Sequence, residues 1–507
     1  MIHALTAEAM RRAEAAAGER GVTVGELMER AGRALAEQAK AMAPSGRIVV
    51  VTGKGANGGD GWVAARLLHE SGGDVSVVAA VSPFEIQGEA AVAAERALQA
   101  GIGWVRPDTA DGFAEALADA EVVVDAVFGI GFSGPPREPL SWAIDAIALS
   151  GSKVLAADMP SGVDADTGQV PGSAVTADVT LTFTAPKPGQ LIYPGATHAG
   201  EIVVADVGVP VEAVPDGGAL EVWDRGEYRA LLPLAPRDAH KNQRGRVLIV
   251  AGSRAFTGAA VLAVAGAQCM GAGYVTLAVP DSIVPTMQAK LTSAVVVGLP
   301  ENPSRTLASK VLGAVLDIAR DHDAAVIGPG LTLAHGTVLL VRKLVRDLAL
   351  PMVLDADGLN AMVDAVEMLR ARLYPTIATP HPGELGRLLG VESAEVQADR
   401  VSFAAKLSGP ALTCVLKGAR TIISGEGRRV ITLTGNPGMA TAGAGDVLAG
   451  MTGTLLAQGL PPLEAAALAA YLHGDAGDKA AESMSETCMT AEDIAAFMPE
   501  AVKALTA

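Results

Sequence analysis

Twice along this chain, short Val- and Ile-rich runs alternate with longer Ala-rich stretches, and that rhythm limits the fold more tightly than any other feature. From Arg47 the order is RIVVVTG, WVAARLLHESG, DVSVVAAV, a helical segment, EVVVDAVFG, then KVLAADMPSG, ADVTLTFT and EIVVADVG up to about residue 208. The pattern is βαβ, which specifies a mostly parallel sheet covered by helices. VPVEAVPDGGALEVWDRGEY then breaks the period and reads as a linker. A second series runs from GRVLIVAGS (245–253) through GYVTLAVP, DAAVIGPG, PMVLDADG, PTIATPHPGE, TCVLKGARTIIS and RRVITLTG. Its runs end in Gly, Pro, Asp or Ser, at the strand ends where open α/β sheets bind ligands. No motif is shared between the two series, so they read as a fusion of two domains, 1–215 and 225–507, rather than a duplication.

Composition narrows the function classes. A formal charge of −17 with no basic run excludes a nucleic-acid backbone as partner, so phosphate ligands must be met by local backbone donors. Only 3% of residues are aromatic while 58 are Gly, which predicts Ala, Val and Leu interiors with close backbone approaches. Cys269, Cys414 and Cys488 lie far apart without CxxC spacing, which points to neither disulfides nor zinc and to a reducing, cytoplasmic setting. The N-terminal stretch carries acids and no long apolar core, and no apolar run elsewhere is long enough to span a bilayer. The Ala-rich helices offer faces that pack against copies of themselves, so a homo-oligomer is expected.

Two constellations carry chemistry. In the first, VVVTGKGANGGDGWVAARLL places a Gly-rich turn between strand and helix. It fits neither a dinucleotide fingerprint nor a P-loop, and by spacing alone a generic Gly turn explains it as well as a nucleotide site. VVVDAVFGIGFSGPPR ends a strand in Asp125 ahead of a loop at 129–135, and VLAADMPSGVDADTG ends another in Asp158 with Ser161 close behind. Each acid alone is explained equally well as a cap or turn residue. Together with Asn57 and Asp60 they form a set suited to a hard cation or to proton transfer.

NGGDG, DAVFGIGFSG and DMPSGVDADTG, with LMERAG upstream, resemble the NAD(P)H-hydrate epimerase family over roughly residues 1–215. The resemblance implies a Rossmann-like three-layer αβα domain. It implies that Ala56, Asn57, Gly58, Gly59 and Asp60, with Gly129, Ile130, Gly131, Phe132, Ser133, Gly134 and Pro135, bind the hydrated nucleotide. It also implies potassium ligation by Asn57, Asp125 and Ser161, and substrate contact and proton movement by Asp158. Ala56 stands where that family usually has a second Asn.

In the second constellation, GNPGMATAGAGDVLAGMTGTLLAQGL runs from a turn into a helix with Gly443 and Gly445 at its start and Asp446 in its first turn. The glycines open space for an anion, and a carboxylate among them suits a general base. With GSRAFTGAAVLAVAGAQCMGAGYVTL, GPGL, DADGLN, TPHPGELGRLLG and VLKGART, the arrangement resembles the ribokinase-like fold and, within it, the ADP-dependent NAD(P)H-hydrate dehydratases. That implies cofactor contacts by Gly258, Gly330 and His381. It implies adenine-nucleotide contacts by Lys417, Gly418, Ala419, Arg420, Thr421 and Gly445, with Asp446 on the substrate hydroxyl. From its residues alone, Lys417 reads equally as a strand-end surface lysine or a phosphate contact. The other histidines, His473 among them, form no i, i+4 pair and read as bland. Ala442 and Ala444 stand where the family often has Gly and a hydroxyl residue.

The resemblance implies a bifunctional enzyme that epimerises NADHX and NADPHX, the hydrated forms of NADH and NADPH, and dehydrates the S form. ADP is the expected co-substrate, with magnesium beside its phosphates. One rival reading is a ribokinase-like vitamin or small-molecule kinase, which predicts a stable phosphorylated product. Another makes the N-terminal half a non-catalytic nucleotide-binding module.

Overall fold

The computed structural model describes residues 2–209, 219–233, 236–238 and 240–507. The chain divides into two compact units, Ile2–Leu220 and Glu221–Ala507.

In the N-terminal unit seven strands form one parallel sheet in the order Gly103–Val105, Val75–Ala79, Ile48–Thr52, Val122–Ala126, Lys153–Ala157, Val179–Phe183, Glu201–Ala205. Ile48–Thr52 and Val122–Ala126 are buried at every position, as strands covered on both faces must be. Val50 and Val124 pack on one face against helices Val24–Met42, Ala56–Glu70 and Glu89–Gln99. Val49 and Val123 pack on the other against Ala110–Leu117 and Leu140–Leu149. The result is the three-layer αβα architecture expected. Gly103–Val105 lies inside what the sequence presents as a helical segment, because three residues at a sheet edge are too few to show a period.

The C-terminal unit has a mixed sheet. Beginning with Ala219–Val222, which straddles the division between the units and pairs through Glu221 and Val222, its strands follow in the order Arg428–Ile431, Ile422–Gly425, Leu412–Leu416, Thr376–Ala378, Met352–Leu354, Ala324–Ile327, Arg246–Val250, Tyr274–Pro280 and Val295–Leu299. The pairings are parallel except on either side of Ile422–Gly425. Part of the expected linker, 210–218, lies outside the described residues. Its remainder is structured: Ala219–Val222 is a strand and Arg225–Leu231 a helix. Glu221 draws this strand in by pairing with Arg428, which also binds Glu464. A sequence reader meets a lone acid there and not its distant partner.

Helix Ala444–Ala457 is apolar almost all round because helices Thr257–Cys269 and Pro462–Met484 and the sheet enclose it. A Cβ at Gly450 would lie 2.0 Å from Ala263 O, and one at Gly266 2.1 Å from Val447 O. Glycine at both points lets the backbones of two helices touch, and this fixes the helix whose first turn carries Asp446.

Candidate functional sites

In the N-terminal unit the strand order reverses between Ile48–Thr52 and Val122–Ala126, a topological switch point that opens a crevice beyond the strand ends. Gly53 closes its floor, since a Cβ there would lie 2.1 Å from Val127 O. The Gly-rich segment is mostly helix. Ala56–Glu70 starts after Gly55 with no side-chain cap, so first-turn N–H groups lack an intrahelical acceptor. Gly58 and Gly59 are buried in it, and side chains there would strike Gly53 O and Met28. Their glycine identity is thus also a packing requirement, while Ala56 is exposed.

Asp125, fully buried, accepts hydrogen bonds from Ser161 Oγ (2.6 Å), Ser161 N (2.8 Å) and Val127 N (3.2 Å). Burial nevertheless raises its pKa to about 6. Phe128 N donates to Ser161 Oγ, and Asn57 Nδ2 donates to Phe128 O at 2.8 Å. Asn57 Oδ1 is buried with no hydrogen-bond partner among the described residues, which leaves a free acceptor on a residue that also binds Phe128 O through Nδ2. A hard monovalent cation fits this donor set. The 129–135 loop is irregular. Gly129 sits against Asn57, Ile130 packs on Met159 and Val163, and the Phe132 ring packs at a tilt of 37° on Phe128, 4.7 Å between centroids. Gly131, Ser133, Gly134 and Pro135 are exposed.

Asp158 is held in the left-handed region at φ 61°. Its Oδ1 accepts from Phe183 N (3.0 Å), Thr182 Oγ1 (3.3 Å) and, in a short contact, Lys187 Nζ. Lys187 is completely buried and also donates to Thr182 Oγ1 and Phe183 O. Sequence reasoning missed Lys187; the only signal was a cation between the prolines of APKPG. Asp60 is pushed well above the usual carboxylate range by burial, then by the charges of Asp158 and Glu14. Glu14, on helix Ala7–Glu19, is raised by desolvation and by Asp158.

In the C-terminal unit the site residues gather at strand ends and helix starts. Gly443, at φ 98°, caps the helix that begins at Ala444, so Gly445 lies in its first turn. Asp446 lies in its first turn, and its pKa is raised to about 7 by burial and by Asp355, against the lowering effect of Lys417. Lys417 follows strand Leu412–Leu416, and its Nζ binds Asp355 Oδ1 at 2.7 Å and approaches Glu384 Oε2 at 3.8 Å. Asp355 also accepts from Thr379 Oγ1 at 2.6 Å.

Arg400, which the sequence does not single out, donates to the carbonyls of Leu416, Lys417 and Arg420 and so staples the 417–421 segment. Burial lowers its pKa to about 10. Above it Gly418 and Ala419 are exposed, Thr421 Oγ1 donates to Gly418 O, and Arg420 donates to Leu433 O. His381 serves as an N-cap: Nδ1 accepts from Gly383 N (3.1 Å) and Glu384 N (3.4 Å), while Glu384 Oε2 accepts from His381 N (2.8 Å). Half of its side chain stays exposed, and its Nε2 lies 3.7 Å from Glu384 Oε1. Gly258 is open on all sides, while Gly330, at φ 65°, packs against Phe256. His473 is buried and bound to the Ala444 carbonyl, so it supports the site.

Among the described residues no group of three or more His, Cys, Asp or Glu side chains is arranged to hold a metal ion. Asp355 and Glu384 are engaged by Lys417, so the side chains do not fit a protein-held magnesium. No helix among the described residues is long and apolar enough to cross a membrane.

Comparison with known proteins agrees with both halves. The family model described as NAD(P)H-hydrate dehydratase matches residues 247–500, and the one described as YjeF-related protein N-terminus matches 24–189. A bifunctional NAD(P)H-hydrate repair enzyme Nnr from Thermofilum pendens is 41% identical over 498 residues, covering 97% of this chain and 94% of that one. Its namesake from Moorella thermoacetica is 40% identical over 496 residues, covering 94% of this chain and 92% of that one. A crystal structure of ADP/ATP-dependent NAD(P)H-hydrate dehydratase from Bacillus subtilis, co-crystallised with ATP and magnesium, aligns with 56% of this chain and 99% of its own at 29% identity and a TM-score of 0.48. The near full-length identity to the repair enzymes, together with both family matches, places this chain in the family of bifunctional NAD(P)H-hydrate repair enzymes.

Proposed function

We propose that the N-terminal unit interconverts the C6 epimers of hydrated NADH and NADPH, and that the C-terminal unit dehydrates the S epimer with ADP, releasing AMP and phosphate. The carrying observation is Asp446: a carboxyl with a pKa of about 7, in the first turn of a helix opened by Gly443, beside a paired lysine. At that pKa it accepts a proton near neutrality, as a general base requires.

Hydroxide leaves the C6 carbon poorly at neutral pH, whereas phosphate leaves well. Asp446 takes the proton of the C6 hydroxyl as its oxygen attacks the β-phosphorus of ADP. First-turn N–H groups after Gly443 stabilise charge on the transferred group. AMP departs, and loss of phosphate with a ring proton restores the dihydropyridine. Arg400 holds the 417–421 segment in place for the adenine nucleotide. Magnesium is assigned to the nucleotide's phosphates.

In the N-terminal unit C6 carries both the hydroxyl and the ring nitrogen, so inverting it needs a proton delivered to one group and removed from another. Asp158, with Oδ1 occupied by three donors, works through Oδ2, and Asp60, pushed well above the usual carboxylate range by burial and by the Asp158 charge, is the second acid of the pair. Asn57, Asp125 and Ser161 would hold potassium, which would supply fixed positive charge to the site.

The test is product analysis. The S epimer of hydrated NADH with ADP is expected to yield NADH, AMP and free phosphate in equal amounts. A phosphorylated hydrate that persists would overturn the dehydratase reading in favour of a kinase.

A further inference from the structure

We propose that Lys417, clamped by Asp355, is a positioning residue for Asp446, keeping that carboxylate available as an anion, rather than only a member of the nucleotide-holding segment. The proposal rests on the dehydratase reading above.

Three distances carry it. Lys417 Nζ is bound to Asp355 Oδ1 at 2.7 Å and lies 3.8 Å from Glu384 Oε2. It is also 3.2 Å from where a Cβ on Gly445 would stand, so the ammonium sits directly above the residue preceding Asp446. A cation at a helix N-terminus faces the positive end of the dipole, which is unfavourable unless carboxylates hold it there. Asp355, itself fixed by Thr379 and nearly inaccessible, supplies that restraint. Gly445 supplies the space.

The charges facing Asp446 are few. Asp355 and Asp357 come from the segment after strand Met352–Leu354, Glu384 from helix Pro382–Leu389, and Lys417 from the end of strand Leu412–Leu416. Helix Thr257–Cys269, packed along the Asp446 helix, carries no charged side chain, and helix Ala491–Thr506, which also packs on it, carries Glu492, Asp493, Glu500 and Lys503, none of which is among the charges that shift Asp446. His473, on the helix at the other side, is neutral near pH 7 because burial lowers its pKa to about 4. Among the described charges that shift Asp446, Lys417 is the one cation, opposed by Asp355, Asp357 and Glu384. Removing it makes Asp446 harder to ionise, and removing Asp355's charge makes it easier.

The experiment follows kcat of the full-length protein for dehydration of the S epimer, with saturating ADP, between pH 5.5 and 9.5. Wild type is expected to lose activity below an acid limb near pH 7. K417M is expected to move that limb up by at least about one pH unit, K417R to return it most of the way, and D355N to move it down. G445A keeps the lysine but crowds its flexible end, so an upward shift there carries the test if K417M does not fold. A higher KM for ADP with the limb unmoved in K417M, D355N and G445A would overturn the inference and leave Lys417 a nucleotide contact. Wild type that makes no NADH from either adenine nucleotide would instead overturn the dehydratase reading itself.

Discussion

His473 Nε2 lies 2.9 Å from the carbonyl oxygen of Ala444, tying helix Pro462–Met484 to the first residue of the helix that carries Asp446. A carbonyl only accepts, so the ring donates from Nε2. Burial lowers the pKa of His473 to about 4, from 6.5 in an unfolded chain. Between those values the unfolded chain binds the extra proton, so stability is lost as pH falls from 6.5 towards 4. The single-site contribution reaches roughly 3 kcal/mol. Denaturant titrations from pH 7 to 4.5 are expected to show this loss in wild type and a shallower one in H473Q. Equal slopes would remove His473 from the account.

Asp446 has the opposite linkage. Its carboxyl binds a proton more readily folded, at about 7, than unfolded, at 3.8. Stability therefore falls as pH rises across that window, and above pH 7 the folded state carries the full penalty. D446N is expected to be more stable than wild type at pH 8 by about 1–3 kcal/mol, after allowance for partial exposure. The same change should lower the dehydration rate by about 10²–10⁴-fold. A variant both less stable and fully active would contradict both assignments.

Potassium dependence should be confined to the N-terminal reaction. With ADP omitted, epimer exchange followed by chromatography is expected to slow when potassium chloride is replaced by choline chloride, and S161A should be slow in both salts. Exchange that ignores the salt would leave the unpartnered Asn57 Oδ1 without a role.

Arg400 supports the nucleotide segment through three carbonyls without lying among its exposed residues. R400M is expected to raise the KM for ADP by roughly 10- to 100-fold, the equivalent of 1.5–3 kcal/mol of lost charge-assisted hydrogen bonding. Epimer exchange should not change. Unaltered ADP kinetics would show that the segment holds its own shape.

The parts legible in the sequence were those written in local pattern. Buried parallel strands appear as Val runs, and Asp125, Asp158 and Asp446 stand out because each follows an apolar run or opens a helix. The parts missed depend on partners distant in the chain. Lys187 and Arg400 look like surface cations until the fold brings them to Asp158 and to the carbonyls of 416–420. His473 lies in the middle of a long helix, and only the packing of that helix on Ala444 gives it a task. Strand Ala219–Val222 is disguised by Glu221, whose charge is met by Arg428. Gly58 and Gly59 were legible as a ligand-binding turn, yet close packing also demands glycine there.

The central claim is that two carboxylates in two units perform consecutive repairs. The most direct measurement supplies both epimers of hydrated NADH with ADP to wild type, D158A and D446N, and follows NADH, AMP and phosphate. The account predicts that wild type recovers both epimers, D158A only the S epimer, and D446N neither. Full recovery of both epimers by D158A, or NADH formation by D446N within about tenfold of the wild-type rate, would contradict it.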